Sequence, residues 1–202
     1  MEQQQLLQKA ETMASIQFSP AGVADASGLR DFLRQRSTVV LLCLGVLAVI
    51  AHATFRIPLN LPGHHGLEWM ALLVIARQGA SYRWAAGVVA IGAAVTAMVP
   101  AIGFHNPLTP LYYLVPALAL DLMWRVAPVR WHTSVPALAG MAALAFATKP
   151  LVQAVGLMAG VTQAHGGQAL IYVIAMHMVF ALVGGAVAAA LWQSSARRRS
   201  TS

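Results

Sequence analysis

Lys149 is the strongest candidate for a functional residue in this sequence, because its charged side chain lies within a long apolar stretch. If that stretch crosses a membrane, an ionisable side chain there costs about 2.5–3.5 kcal/mol on insertion scales, and such residues often serve function. Pro150 follows and removes a helical hydrogen bond, and Gln153 lies four residues on along the same face. Lys149 and Arg56 would together suit a ligand that carries a carboxylate. The alternative is a lysine that extends to the lipid headgroups.

Histidine, glutamate and tyrosine supply the other candidates for a binding site. His52 lies near the end of the first apolar stretch, and Glu68 lies near the start of the second. His177 lies about ten residues into the last stretch, where it is either a ligand or a hydrogen-bonded packing residue. Tyr113 is either a site residue or part of an aromatic belt at the membrane surface. The other aromatic residues of that belt are Trp69, Phe104 and Tyr112.

A metal site is a weaker alternative for the histidine-rich segment between the first two stretches. His64 and His65 precede Glu68 by four and three residues. Imidazole and carboxylate groups bind divalent transition metals, but this spacing matches no established metal motif. We therefore expect no metal and no cofactor, and interpret the segment as a structured lid over a cavity.

The composition places these residues in a membrane protein. Of the 202 residues, 58% are hydrophobic and 9% are charged, whereas a soluble domain carries about 25% charged residues. The single cysteine excludes a disulfide framework within the chain and any cysteine-based metal centre. The sequence contains no phosphate-binding loop and no nucleophile–base motif, so we expect no enzyme and no independent use of ATP.

Six apolar stretches predict an all-α integral membrane protein, a bundle of six transmembrane helices. A spanning helix needs about 20 mostly apolar residues, and the second stretch is short by that measure. The stretches cover residues 38–55, 67–78, 84–104, 108–126, 134–160 and 168–192.

The arginines and lysines predict that both chain termini are cytoplasmic. With six alternating spans, all but two of the 13 basic residues lie on the inner side, as the positive-inside rule expects. The two exceptions are Arg56 and Lys149, which share the outer side with Glu68 and five of the seven histidines. The arginines orient the chain and thereby account for the net charge of +7, so no nucleic-acid partner is expected. We expect a multi-pass protein of a bacterial-type cytoplasmic membrane.

The chain divides into three predicted parts. Residues 1–36 form a polar cytoplasmic segment with no signal peptide, and they are either an amphipathic surface helix or a disordered tail. Residues 37–193 form the six-helix transmembrane domain, and residues 194–202 form a basic cytoplasmic tail. Near the inner boundary, Asp121 precedes Arg125 by four residues, which predicts a local ion pair or a contact with a cytoplasmic partner.

Small residues recur at intervals of four in three of the stretches. Such ladders let helix backbones approach closely, either inside one bundle or at a docking face for another membrane subunit. The ladders are Ala86, Ala90 and Ala94, then Ala139, Ala143 and Ala147, and finally Ala181, Gly185 and Ala189.

Over residues 37–193 the chain resembles the substrate-binding S components of energy-coupling factor (ECF) vitamin transporters. The resemblance rests on six spans with a short second one, and on three segments. These are Arg56-Ile-Pro-Leu…Pro62-Gly63, Tyr113-Leu-Val-Pro-Ala-Leu-Ala-Leu-Asp121-Leu and His177…Gly184-Gly185. In one departure from the family, the first span carries Gly45, Ala48 and Ala51, three apart, in place of an Ala-x-x-x-Ala docking face.

The resemblance implies that the chain captures a small-molecule substrate in an outward-facing pocket under the first external loop. A membrane subunit and two cytoplasmic ATPases would supply the energy. The residues alone also allow two other functions. One is a haem- or quinone-binding subunit of a respiratory-type complex, with His52 and His177 as axial ligands, although their depths differ by roughly 9 Å. The other is a purely accessory membrane subunit without a ligand.

Overall fold

The computed structural model describes residues 26–54, 61–162 and 169–200, with side chains over 37–54, 61–162 and 169–195. Arg56 and His165 lie outside the described residues, as does most of the polar N-terminal segment. The chain divides into a unit of residues 1–35 and a unit of residues 36–202, and the cavity and its surrounding core belong to the second.

The described residues form helices and connecting turns with no strand, which confirms the all-α prediction. They contain seven α-helices and two short 3-10 helices, at Pro100–Ile102 and Val129–Trp131. The helices are α1 (Ala26–Thr54), α2 (His65–Gly79), α3 (Ala85–Ala97), α4 (Thr109–Val126), α5 (Val135–Phe146), α6 (Thr148–Met158) and α7 (Leu170–Ser200).

Within the described residues, three segments are long and apolar enough to cross a membrane, which confirms the membrane class inferred from composition. They are Ser37–Thr54, Val135–Met158 and Leu170–Ser195. Helices α2 and α3 have 15 and 13 residues, so at 1.5 Å per residue they reach only about 22 and 20 Å. Each is shorter than the hydrocarbon core of about 30 Å.

The fifth apolar stretch is two consecutive helices rather than one. Ser134 accepts a hydrogen bond from the amide of Ala137 and begins α5, which ends at Phe146. Helix α6 begins at Thr148, and Pro150 lies buried in its first turn. Because proline has no amide hydrogen to donate, the break falls where the sequence predicts a bend.

Close backbone contacts at glycine join the helices. A β-carbon on Gly45 of α1 would lie 2.8 Å from the backbone nitrogen of Ala93, so α1 and α3 cross at that point. On α7, a β-carbon on Gly185 would lie 2.6 Å from the Ala142 side chain of α5. Close approach of this kind is typical of membrane helices, where tight packing drives association.

The small-residue ladders pack mainly inside the bundle. Of the three ladders only Ala147 is not buried. The core that surrounds them is apolar, and its largest fully buried members include Phe146, Met70, Leu73, Leu120 and Leu138. The packing interpretation of the ladders is therefore the one that the structure supports.

Asp121 has different partners from the one that the sequence predicts. Its carboxylate is fully buried and accepts hydrogen bonds from the first-turn amides of α3, at 3.3 Å from Ala86 and 2.8 Å from Gly87. Its ion pair is with Arg77 of α2, at 3.7 Å, whereas Arg125 lies 3.5 Å from the centre of the Trp84 ring. The prediction of a local pair with Arg125 is wrong, because the α3 amides and Arg77 hold the carboxylate inside the bundle.

Candidate functional site

A cavity of about 330 Å³ lies between α1, α2, α4 and the junction of α5 with α6. This volume is at the lower end of the range of about 300–1,000 Å³ for small-ligand sites. Four of the seven candidates named from the sequence line it: His52, Glu68, Tyr113 and Lys149. His65 joins them, and much of the remaining wall is aromatic or aliphatic, including Trp69, Leu72, Phe104 and Phe146. An apolar wall with a few convergent polar groups is typical of small-molecule sites.

The turn before α2 positions two of the polar side chains. Gly63 has a φ of +81°, which favours glycine, and its carbonyl accepts a hydrogen bond from the Gly66 amide at 2.8 Å. A β-carbon on Gly63 would also lie 2.7 Å from the Cα of His177 on α7. This turn begins α2 at His65, and because residues three apart share a helix face, Glu68 lies beside His65.

His52, His65 and Glu68 form a compact cluster at one end of the cavity. The Glu68 Oε1 atom lies 3.2 Å from His52 Nδ1 and 3.4 Å from His65 Nδ1. The two imidazole rings meet edge to face with centroids 3.8 Å apart, and Phe104 stacks on the His52 ring at 5.9 Å. Each of the three side chains offers one ligand atom, and these atoms all lie within 4.8 Å of one another.

His64 is not part of that cluster, although the alternative metal site included it. Its Nδ1 atom is 2.8 Å from the carbonyl oxygen of Leu61, which fixes the ring against the preceding turn. His52 from α1 is the third member of the cluster instead. The separation of 16 positions between His52 and Glu68 matches no recognised motif, so only packing of α1 against the start of α2 brings them together.

Lys149 reaches the cavity because of the break between α5 and α6. It lies in the first turn of α6, where its Nζ atom is 5.3 Å from the Phe146 ring centre and 5.8 Å from that of Tyr112. Both distances are within the range of about 6 Å for cation–π attraction. Among the described residues no ion pair includes Lys149. The cavity thus holds a cation without a protein counter-charge in direct contact.

Two of the sequence candidates, His177 and Gln153, lie outside the cavity wall, and a third is not described. His177 is buried, its Nδ1 lies 2.8 Å from the Val173 carbonyl oxygen, and its ring packs 5.3 Å from Phe146. This geometry favours the packing interpretation over a ligand role. Gln153 is half-buried outside the cavity wall. Arg56 belongs to the segment 55–60, which lies outside the described residues.

The aromatic residues ascribed to a membrane belt are part of the site. Trp69 is buried and contacts Tyr113 edge to face at 5.0 Å, and both line the cavity with Phe104 and Tyr112. Phe146 is the largest of the wall residues that sequence reasoning missed, which also include Leu72 and Thr109. It lies within an apolar stretch like any other core residue, so no local pattern distinguishes it.

No family model matches this chain, and neither a curated protein nor a solved structure matches it significantly.

Proposed function

We propose that this chain is the membrane-embedded, substrate-capturing subunit of a small-molecule, vitamin-like transporter. The substrate binds in the cavity beside His52, Glu68, Tyr113 and Lys149. Partner subunits supply the energy, since the sequence contains no phosphate-binding loop of its own. The observation that carries the proposal is the position of Lys149, a cation inside an aromatic cavity with no acidic partner in the described part of the chain.

The charge of the cavity favours a substrate with an anionic group. Burying an ammonium group in an apolar wall is costly unless a counter-charge joins it. Glu68 is engaged by His52 and His65, which leaves Lys149 to the ligand. The aromatic walls would hold the apolar body of that ligand, and a carboxylate at one end would meet Lys149.

In the proposed topology six spans alternate and both chain ends are cytoplasmic. The second and third spans correspond to the short helices α2 and α3, and the fourth corresponds to α4 with 18 residues. The cavity then faces the outer side, because the ends of α1 and the start of α2 border it. The inner ends carry the basic residues, as the positive-inside rule requires.

Mass spectrometry of small molecules extracted from the purified protein tests the ligand claim. We expect a compound with an anionic group to copurify with the wild-type chain and to be lost from Lys149→Ala. Arg83→Ala is the matched control, because Arg83 is an exposed cation away from the cavity. Equal ligand content in Lys149→Ala and the wild type would refute the role of Lys149.

Copurification of partner proteins tests the transporter claim separately. An affinity-tagged chain extracted in mild detergent is expected to bring down a second membrane protein and cytoplasmic ATPases. Recovery of respiratory subunits instead, or a haem absorption band in the purified protein, would favour the alternative of a respiratory-type complex.

A further inference from the structure

We propose that His52, His65 and Glu68 form a binding site for a divalent transition-metal ion at one end of the cavity. Two imidazoles and one carboxylate converge there from α1 and the first turn of α2. The inference does not rest on transport, since metal binding is measured on the purified chain whether or not the chain carries a substrate.

The distances between the ligand atoms are compatible with a shared metal ion. With metal–ligand bonds of about 2.1 Å, two ligands at tetrahedral corners lie roughly 3.4 Å apart. The Nδ1 atoms of His52 and His65 lie 3.2 and 3.4 Å from Glu68 Oε1. The contacts with Glu68 therefore already hold both imidazoles at the spacing that a shared ion requires. The three ligand atoms all lie within 4.8 Å of one another, and side-chain rotation would bring them around one ion.

The donor set selects the class of metal. Imidazole nitrogen with one carboxylate oxygen suits zinc, nickel, cobalt and iron, whereas calcium and magnesium prefer sites made only of oxygen. The cavity wall contains no cysteine, so a copper(I) or iron–sulfur site is not expected. Three protein ligands leave at least one coordination position open, as in metal sites that exchange ligands. That position borders the cavity, where a donor group of a bound molecule can occupy it.

The surroundings hold the ligands in place without a metal. Phe104 stacks on the His52 ring, and the Gly63 turn fixes the start of α2, where His65 and Glu68 share one face. Glu68 remains more than half exposed, at 57% for its side chain, so an ion can reach the cluster. Packed imidazoles beside an accessible carboxylate are the arrangement that a preformed, exchangeable metal site requires.

Metal titration of the purified full-length chain tests the proposal. The protein in lipid nanodiscs is stripped with a chelator and titrated with Zn²⁺ and with Co²⁺. We expect one ion per chain, and a visible Co²⁺ spectrum typical of mixed nitrogen and oxygen ligands. Binding that does not saturate at one ion, or a spectrum equal to that of Co²⁺ in buffer, would overturn the site.

Variants assign the ion to the cluster. His52→Ala, His65→Ala and Glu68→Gln are each expected to weaken binding at least about 100-fold, since even outer-shell changes cost 10–100-fold. His105→Ala is the matched control, because His105 is an exposed histidine outside the cavity wall, and its affinity should equal that of the wild type. An equal loss in His105→Ala, or full affinity in Glu68→Gln, would contradict the assignment. The Co²⁺ spectrum of the wild-type chain keeps the test decisive if a variant fails to fold.

Discussion

At the scale of single residues, the positions of two charged side chains determine the electrostatic character of the cavity. Lys149 and Glu68 line the same cavity, yet Glu68 is held by two histidines and Lys149 by aromatic faces. A direct pair between them would neutralise the cavity. Their separation leaves one positive and one negative region for a ligand to meet.

Asp121 is the buried charge whose loss should cost the most stability. In Asp121→Ala the amides of α3 lose their acceptor and Arg77 is left uncompensated, which we expect to lower the free energy of unfolding by about 3–5 kcal/mol. Asp121→Asn keeps an acceptor and should lose less. Thermal unfolding in detergent measures both.

Arg125→Gln is the comparison for Asp121. It removes only a cation–π contact with Trp84 and should cost about 0.5–1 kcal/mol. A larger loss in Arg125→Gln than in Asp121→Ala would restore the local ion pair that the sequence suggests.

Single residues were predictable from the sequence where they break a pattern. Lys149 stands out because a charge interrupts an apolar run, and the structure places it in the cavity wall. Phe146 and the partnership of His52 with Glu68 were not predictable. The first is an apolar residue in an apolar stretch, and the second depends on how two helices pack.

At the scale of helices, glycine sets how closely α1 and α3 approach. Gly45→Ala would place a methyl group against the α3 backbone, and we expect a loss of about 1–3 kcal/mol of unfolding free energy. Gly140 on α5 has no atom within 4 Å of a β-carbon, so Gly140→Ala should gain about 0.5–1 kcal/mol. Paired thermal melts check the sign of each change, and equal effects would exclude the close crossing.

The turn before α2 positions the metal ligands His65 and Glu68 at the start of that helix. Gly63→Ala combines a strained backbone at φ +81° with a contact against His177, and it should displace His65 and Glu68 and weaken Zn²⁺ binding. Gly160 also has a positive φ, of +69°, but open space around it, so Gly160→Ala should cost stability and leave Zn²⁺ affinity unchanged. Titration of both variants with Zn²⁺ compares their affinities. An unchanged Zn²⁺ affinity in Gly63→Ala would show that the turn does not position the metal ligands.

Helix number and helix ends differ in how well a sequence predicts them. Long apolar runs predict the apolar parts of α1 and α7, Ser37–Thr54 and Leu170–Ser195, because length and hydropathy are enough. They do not predict that α1 begins at Ala26 or that α7 continues to Ser200. Pro150 predicts a bend in the fifth stretch, but the apolar pattern alone does not place the division at Ala147.

At the scale of the whole molecule, the arrangement of spans can be tested by chemical labelling. In a Cys43→Ala background, His105→Cys should react with a membrane-impermeant maleimide in intact cells. Ser81→Cys, in the turn between α2 and α3, should react only after permeabilisation. Labelling of Ser81→Cys in intact cells would mean that α2 does not span, and the proposed topology would fail.

The class of the molecule follows from composition, whereas its cavity does not. An apolar chain with few charges predicts a helical membrane protein, and the three long apolar segments agree. The cavity arises because α1, α2, α4 and the α5–α6 junction meet without filling the space between them. Such a void depends on the three-dimensional packing of side chains that are far apart in sequence.

Substrate capture is best tested by native mass spectrometry of the intact chain, released from membranes without added ligand. We expect a peak above the 21.4 kDa chain mass by the mass of one small molecule. That peak should be absent from a folded Ala48→Trp variant, in which a large ring fills the cavity beside His52. A ligand retained equally by Ala48→Trp would show that binding occurs elsewhere, and a wild-type chain that never carries one would contradict substrate capture.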